Sequence, residues 1–156
     1  MLTFRKAQLE DVDEIRRFVD YWLSGRGMRE HAPGAINDFF VSHGQHVSYL
    51  QRSIVIIALD NEQIVGWAVK HSNGTLIHLL VAGTHRKQGI GKMLLKIIDP
   101  ELIHSKSTQS TGNPLQYYLR RGYVKIGAKT SRPSNRRPTI RKEPLLNIDV
   151  LAKKTT

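Results

Sequence analysis

The chain has 156 residues, 40% of them apolar and 24% charged, which suits one soluble domain with a single core and leaves little length for a second. It contains no cysteine, which excludes disulfides, thiolate metal sites and a thiol nucleophile. No apolar run approaches the roughly 20 residues a membrane-spanning helix needs, and no apolar stretch follows the first charges as in a secretory leader, so the chain is expected in the cytoplasm and off the membrane. The net charge of +11 is unevenly spread: eleven of the 24 basic residues but only two of the 13 acidic ones lie from Arg120 onward. Such a concentrated positive region favours an anionic partner or substrate, the plain alternative being a well-solvated surface.

In chain order, residues 2–5 read as a short strand. A helix follows from about Asp11, with Val12, Ile15, Val19, Trp22 and Leu23 at helical spacing and an acidic first turn that suits the helix dipole. Residues 28–34 read as a loop and 35–52 as a second helix, with Gly44 its weak point. Residues 54–60 form a β-rich run, 60–63 a turn and 64–71 another strand. Asn73-Gly74 is a strong hairpin signal, so 76–81 is expected to pair antiparallel with the strand before it. Ile90, Met93, Leu94, Ile97 and Ile98 mark one face of a helix that Asp99-Pro100 ends. Residues 101–106 read as a strand. Residues 114–121 read as a short helix with Leu115, Tyr118 and Leu119 inward, Tyr117 pointing away and Gly122 as the break. Strands at 123–129 and about 144–152 complete the set. Between them, 130–142 carries Arg132, Arg136, Arg137, Arg141 and Lys142 with Pro133 and Pro138, and reads as an exposed basic loop.

The stretch from Val81 to Lys92 carries the chemistry. An apolar strand enters, Gly89 and Gly91 sit where a helix begins, and helical periodicity resumes at once. The first amides of a helix lack internal partners and form an anion site; the glycines leave room for phosphate oxygens, and Arg86, Lys87 and Lys92 add charge. The plain alternative is a tight turn with exposed basic residues. A P-loop is excluded, because five residues separate Gly83 from Gly89 and Met93 follows Gly91-Lys92. A Rossmann fingerprint is excluded too: Leu94 stands where a third small residue is needed, and the entering strand follows a hairpin.

The remaining pattern, Arg-x-x-Gly-x-Gly at Arg86, Gly89 and Gly91, resembles the pyrophosphate-binding motif of the GNAT superfamily of acyl-CoA-dependent N-acetyltransferases. The strand ending in Leu79, Leu80 and Val81 lies five residues before the arginine, as in that family. Tyr118, four residues before the pair Gly122-Tyr123, is similar to the family's second signature, and the order of elements matches as well. The resemblance implies one GNAT-like domain over residues 1–156 with an α/β (α+β) fold: a mixed, mostly antiparallel central sheet of about six to seven strands flanked by about four helices. It implies acetyl-CoA as donor and CoA as product. The main chain of Leu79, Leu80 and Val81 would hold the pantetheine arm and thioester carbonyl, and the amides of Gln88, Gly89, Ile90, Gly91 and Lys92, beside Arg86 and Lys87, the pyrophosphate. Tyr118 would protonate or stabilise the leaving thiolate while an amine attacks the thioester directly, with no covalent enzyme intermediate. The alternative for Tyr118 is a core aromatic. Asn113, five residues before Tyr118 where the family usually has seven, is a candidate for the cofactor arm, as are Ser110 and Thr111, or it is the N-cap of the helix.

Thr75 stands where many relatives carry a glutamate at the start of the fourth strand, so His78 on the same strand is the candidate general base; its alternative is a hydrogen-bonded structural histidine. His43 and His46 share a helix face with no nearby carboxylate, and no metal is expected. The basic loop falls where relatives shape the acceptor site. Arg132, Arg136 and Arg137 are accordingly the expected substrate-binding residues, for an anionic small-molecule or peptide amine; a polyamine would be repelled. The alternative is a nucleic-acid-associated member of the same fold whose basic quarter grips RNA or DNA phosphates, although aromatics for base stacking are sparse there. Relatives are often dimers, so a homodimer is compatible with the resemblance.

Overall fold

The long apolar runs in the middle of the chain are apolar on both faces, as a strand needs when helices cover both sides of its sheet. In the computed structural model, which describes residues 1–23, 27, 41–107, 114–131 and 146–154 (without the side chains of 106, 107, 131 and 146), they become the central strands. The strands are β1 (Leu2–Lys6), β2 (Ile54–Asp60), β3 (Gln63–Lys70), β4 (Thr75–Val81), β5 (Leu102–Ser107), β6 (Tyr123–Ser131) and β7 (Leu146–Lys153). They form one sheet in the order β1-β2-β3-β4-β5-β7-β6, antiparallel everywhere except between β4 and β5. The described residues form four α-helices: α1 (Val12–Leu23), α2 (His43–Arg52), α3 (Ile90–Ile98) and α4 (Leu115–Leu119). The mixed, mostly antiparallel architecture expected from the sequence is the one observed.

Local chemistry fixes the boundaries. Asp11 accepts the Gln8 N–H at 2.7 Å and an N–H from each terminal nitrogen of the Arg5 guanidinium at 2.9 Å, tying β1 to the start of α1. The hydrogen bond from Arg5 holds the Asp11 carboxyl below its ordinary pKa. The hairpin turns as Asn73-Gly74 predicts, with Gly74 at φ +91° and the Asn73 side chain accepting the Thr75 N–H at 3.0 Å. The expected helix over 35–52 is corrected. Residues 28–40 lie outside the described residues, but 41–42 are not helical and α2 starts at His43. Ser42 and Gln45 stop it there by capping reciprocally: the Ser42 hydroxyl accepts the Gln45 N–H at 3.2 Å and the Gln45 side chain accepts the Ser42 N–H at 3.0 Å.

Two facings also differ from expectation. The buried stripe of α3 is Ile90, Leu94, Leu95 and Ile98, while Met93 and Ile97 are 40% and 44% exposed. A stripe that includes Leu95 is rotated away from 93 and 97, leaving them on its rim. On α4, Tyr118 is buried but Leu119 is exposed.

Gly66 on β3 sets the distance between α3 and the sheet. A Cβ there would lie 2.9 Å from both the Ile90 and the Leu94 side chains, so only glycine admits this approach. Trp67, the next residue, necessarily faces the opposite side, where α1 and α2 pack. Gly66→Val is expected to cost about 1–3 kcal/mol through overpacking, read from the urea midpoint. A variant as stable as wild type would show that α3 relaxes away freely.

Candidate functional site

The site begins at β4. On one side β4 pairs with β3 along most of its length; on the other it meets β5 only at Thr75↔Leu102 and Leu76↔Ile103. A register irregularity opposite Val69/Lys70 gives β4 one extra residue, Ile77, where the two strands part. The Ala82 N–H donates to the Val65 carbonyl at 2.9 Å. Alternation of the antiparallel ladder then aims the main chain of Leu80 at β3 and that of Leu79 and Val81 away from it, into the opening towards β5.

That opening belongs to a cleft of about 510 Å³. It gathers His78, Leu79, Leu80, Val81, Arg86, Lys87, Gly89, Ile90, Gly91, Lys92 and Tyr118, all expected site residues. Gln88 is exposed and does not line it. Asn113, with Ser110 and Thr111, and the loop residues Arg132, Arg136 and Arg137 lie outside the described residues.

The loop between β4 and α3 is shaped for an anion. Lys87 and Gly89 both have positive φ, +64° and +79°, and Gly89 caps α3 without a side chain. The first intrahelical bond runs from Met93 N–H to Gly89 O at 3.0 Å, so the amides of Ile90, Gly91 and Lys92 have no partner within the helix. The two glycines serve different ends. A Cβ on Gly89 would meet nothing within 4 Å, so its constraint is the backbone angle; a Cβ on Gly91 would lie 2.7 Å from the Tyr117 hydroxyl. His85 anchors the turn before Arg86, with Nε2 3.0 Å from the Asp60 carboxylate and Nδ1 2.8 Å from the Thr84 hydroxyl. These open amides, the glycine cradle and three flanking cations fit a pyrophosphate, and the Leu79 and Val81 main-chain groups fit an amide-bearing arm leading away from it.

Tyr118 is 7% exposed, and burial pushes its phenol well above the ordinary tyrosine range, so it carries its proton at neutral pH. Tyr117 is corrected: it does not point away but lines the cleft beside Gly91, its ring edge-on to Tyr118. A helix of five residues is wedged between core and cleft, so neighbouring side chains about 100° apart reach both. Arg121 holds Tyr117 in place, with its guanidinium carbon 3.5 Å from the ring centroid and one nitrogen donating to the Tyr117 carbonyl at 2.9 Å.

His78 forms the wall on the α1/α2 side. Its Nε2 is 3.1 Å from the Tyr49 hydroxyl and its ring stacks on Trp67, centroids 4.9 Å apart. It is thus hydrogen-bonded and on the cleft at once. Behind Trp67 lies His46, 1% exposed, with Nε2 lacking a hydrogen-bond partner; burial, with the Arg16 and His43 charges, brings its pKa down to about 4. His104, one residue past the last β4–β5 pair, lines the cleft as well, as do His85, Tyr117, Arg121 and Leu23. Sequence reading missed these as site residues. A polar residue in a short strand gives no sign that its neighbouring strand has parted from it.

An acetyltransferase (GNAT) domain model matches residues 51–125, from the end of α2 into β6. Solved structures share the fold over nearly the whole chain. The GNAT-family acetyltransferase of Streptococcus pneumoniae has a TM-score of 0.64 at 14% identity, covering 98% of this chain and 99% of that one. The ribosomal-protein-S18-alanine N-acetyltransferase of Escherichia coli has 0.64 at 13%, covering 100% and 96%. The PaiA N-acetyltransferase of Thermoplasma acidophilum, in complex with coenzyme A, has 0.62 at 14%, covering 99% of each. No curated protein matches the sequence. Residues 51–125 thus match the acetyltransferase (GNAT) domain model, and the chain shares its fold with these acetyltransferases.

His46 gives stability a pH dependence. Its folded pKa of about 4 lies below the ordinary 6.5, so the unfolded chain binds more protons between those values and stability falls as pH drops through that window. His46→Leu is expected to flatten this slope, measured as the difference between urea midpoints at about pH 7 and about pH 5. An unchanged difference would assign the slope to another group.

Proposed function

We propose that the cleft binds acetyl-CoA and that the enzyme passes its acetyl group to an amine acceptor bearing negative charge. The supporting observation is that one cleft contains the inward main-chain groups of Leu79 and Val81, the open amides at the start of α3, and Tyr118. The coenzyme A held by the T. acidophilum relative is consistent with this. Bound there, acetyl-CoA supplies a thioester activated for attack.

Leu79 and Val81 hold the arm and polarise the thioester carbonyl through main-chain hydrogen bonds. The amides of Ile90, Gly91 and Lys92, entered through Gly89, bind the pyrophosphate, and Arg86, Lys87 and Lys92 offset its charge. Asn113 is proposed for the arm on sequence grounds. The acceptor arrives as an ammonium, and His78, on the cleft wall beside Tyr49 and Trp67, takes its proton. The free amine then attacks the carbonyl carbon as the carbon–sulfur bond breaks. A phenol held above its ordinary pKa grips its proton more tightly than a thiol, so Tyr118 offers the departing sulfur a hydrogen bond, and as it gives up that proton it takes the one the attacking nitrogen sheds, leaving amide, thiol and neutral phenol. The acceptor's negative charge is proposed from the basic last quarter of the chain, with Arg132, Arg136 and Arg137 as its binding residues.

Acetyl-CoA at 100 times its dissociation constant is expected to stabilise the protein by about 2.7 kcal/mol, seen as a raised melting temperature. Tyr118→Phe should retain that shift while losing about 10²–10⁴-fold in turnover, followed as thiol release over a panel of amino compounds and acidic peptides. Wild-type turnover in this variant would remove Tyr118 from the mechanism, and no shift in the wild type would remove the donor. His78→Ala is expected to lose more activity at neutral pH than in alkali, where the acceptor amine deprotonates unaided. Equal losses at both would leave His78 a structural role.

A further inference from the structure

We infer that Tyr117 and Arg121 form a second anion subsite of the cleft, which takes the 3′-phosphate of CoA and lets the enzyme distinguish CoA from 3′-dephospho-CoA. The inference rests on the acetyl-CoA reading and adds a specificity determinant outside the phosphate loop.

Arg121 is a fixed cation. Its guanidinium carbon stands 3.5 Å from the Tyr117 ring centroid, and one terminal nitrogen donates to the Tyr117 carbonyl at 2.9 Å. No carboxylate among the described residues pairs with it, and its Nε is buried with no hydrogen-bond partner. A cation on a cleft wall with no carboxylate partner is open to an anion, and a guanidinium is built to bond a phosphate. Arg121 lines the same cleft as Gly91 and Lys92.

Tyr117 links this cation to the phosphate loop. Its hydroxyl occupies the space next to Gly91 where a Cβ would lie, 2.7 Å away. The stack on α4 therefore abuts the first turn of α3 from a separate element. The pyrophosphate is already served by the α3 amides and by Arg86, Lys87 and Lys92, whereas CoA carries one further phosphoryl group, on its ribose. That group is the remaining anion for which an uncompensated guanidinium beside the cradle is suited.

The test is calorimetric binding of CoA and 3′-dephospho-CoA to wild type, Arg121→Gln and Arg121→Met, the last keeping an aliphatic stem over the Tyr117 ring. Wild type is expected to prefer CoA by about 10-fold, the scale of one charge-assisted contact. Both variants should lose that preference, binding both ligands as wild type binds 3′-dephospho-CoA. An equal weakening towards both ligands would overturn the inference by assigning Arg121 to the pyrophosphate or to packing. A wild-type ratio near one would overturn it whatever the variants do, including if neither folds. Failure of wild type to bind CoA at all would instead sink the acetyl-CoA reading beneath it.

Discussion

Two residue pairs, Thr75↔Leu102 and Leu76↔Ile103, make up the parallel contact between β4 and β5, and the site exists because there are no more. A parallel pair needs a crossover, and here the crossover contains α3, packed on the sheet face that carries Gly66. Pairing at the start of β4 holds the two halves of the sheet together. Its end past Ile77 leaves the main chain of Leu79 and Val81 directed into an opening, where in a continued sheet it would be spent on ladder bonds. The same strand then runs into the loop whose amides begin α3. A thread of backbone donors and acceptors thus leads from the middle of the sheet to a helix N-terminus.

The two faces of the sheet divide the labour. On the α3 face, Gly66 admits the helix closely enough that Ile90 and Leu94 are fully buried, which fixes where the helix N-terminus points. On the opposite face, Trp67 is packed between His46 and His78, and Tyr49 holds His78 from α2. Burial keeps His46 neutral, so a basic protein places no extra charge inside this wall. The proposed chemistry assigns the donor to the backbone thread and the acceptor's proton to the aromatic wall, with Tyr118 reaching the cleft from α4.

Much of this was legible in the sequence because the signals were local. The alternation and apolar runs of 54–81, the Asn73-Gly74 turn and the Asp99-Pro100 stop each follow from the backbone preferences of a few consecutive residues, and the strands and turns lie where they indicate. The turn at Gly89 into α3 was readable for the same reason: a glycine at positive φ before a helix is a short-range device. The start of α2 was misjudged because helical periodicity continued upstream past a Ser42–Gln45 cap that breaks it. Tyr117 was turned the wrong way because its position is set by Gly91 and Arg121, not by its own helix.

The sequence by itself determined the order of the described elements and the glycine turn that starts α3, since these depend on residues within a turn or two of one another. Only the tertiary structure decided that β5 leaves β4 after two pairs, that His104 and Arg121 join His78 on one cleft, and that Gly66 sets the seat of α3. Those are contacts between segments distant along the chain, governed by packing volume and strand register, and nothing in a local pattern specifies which distant side chain will fill the space.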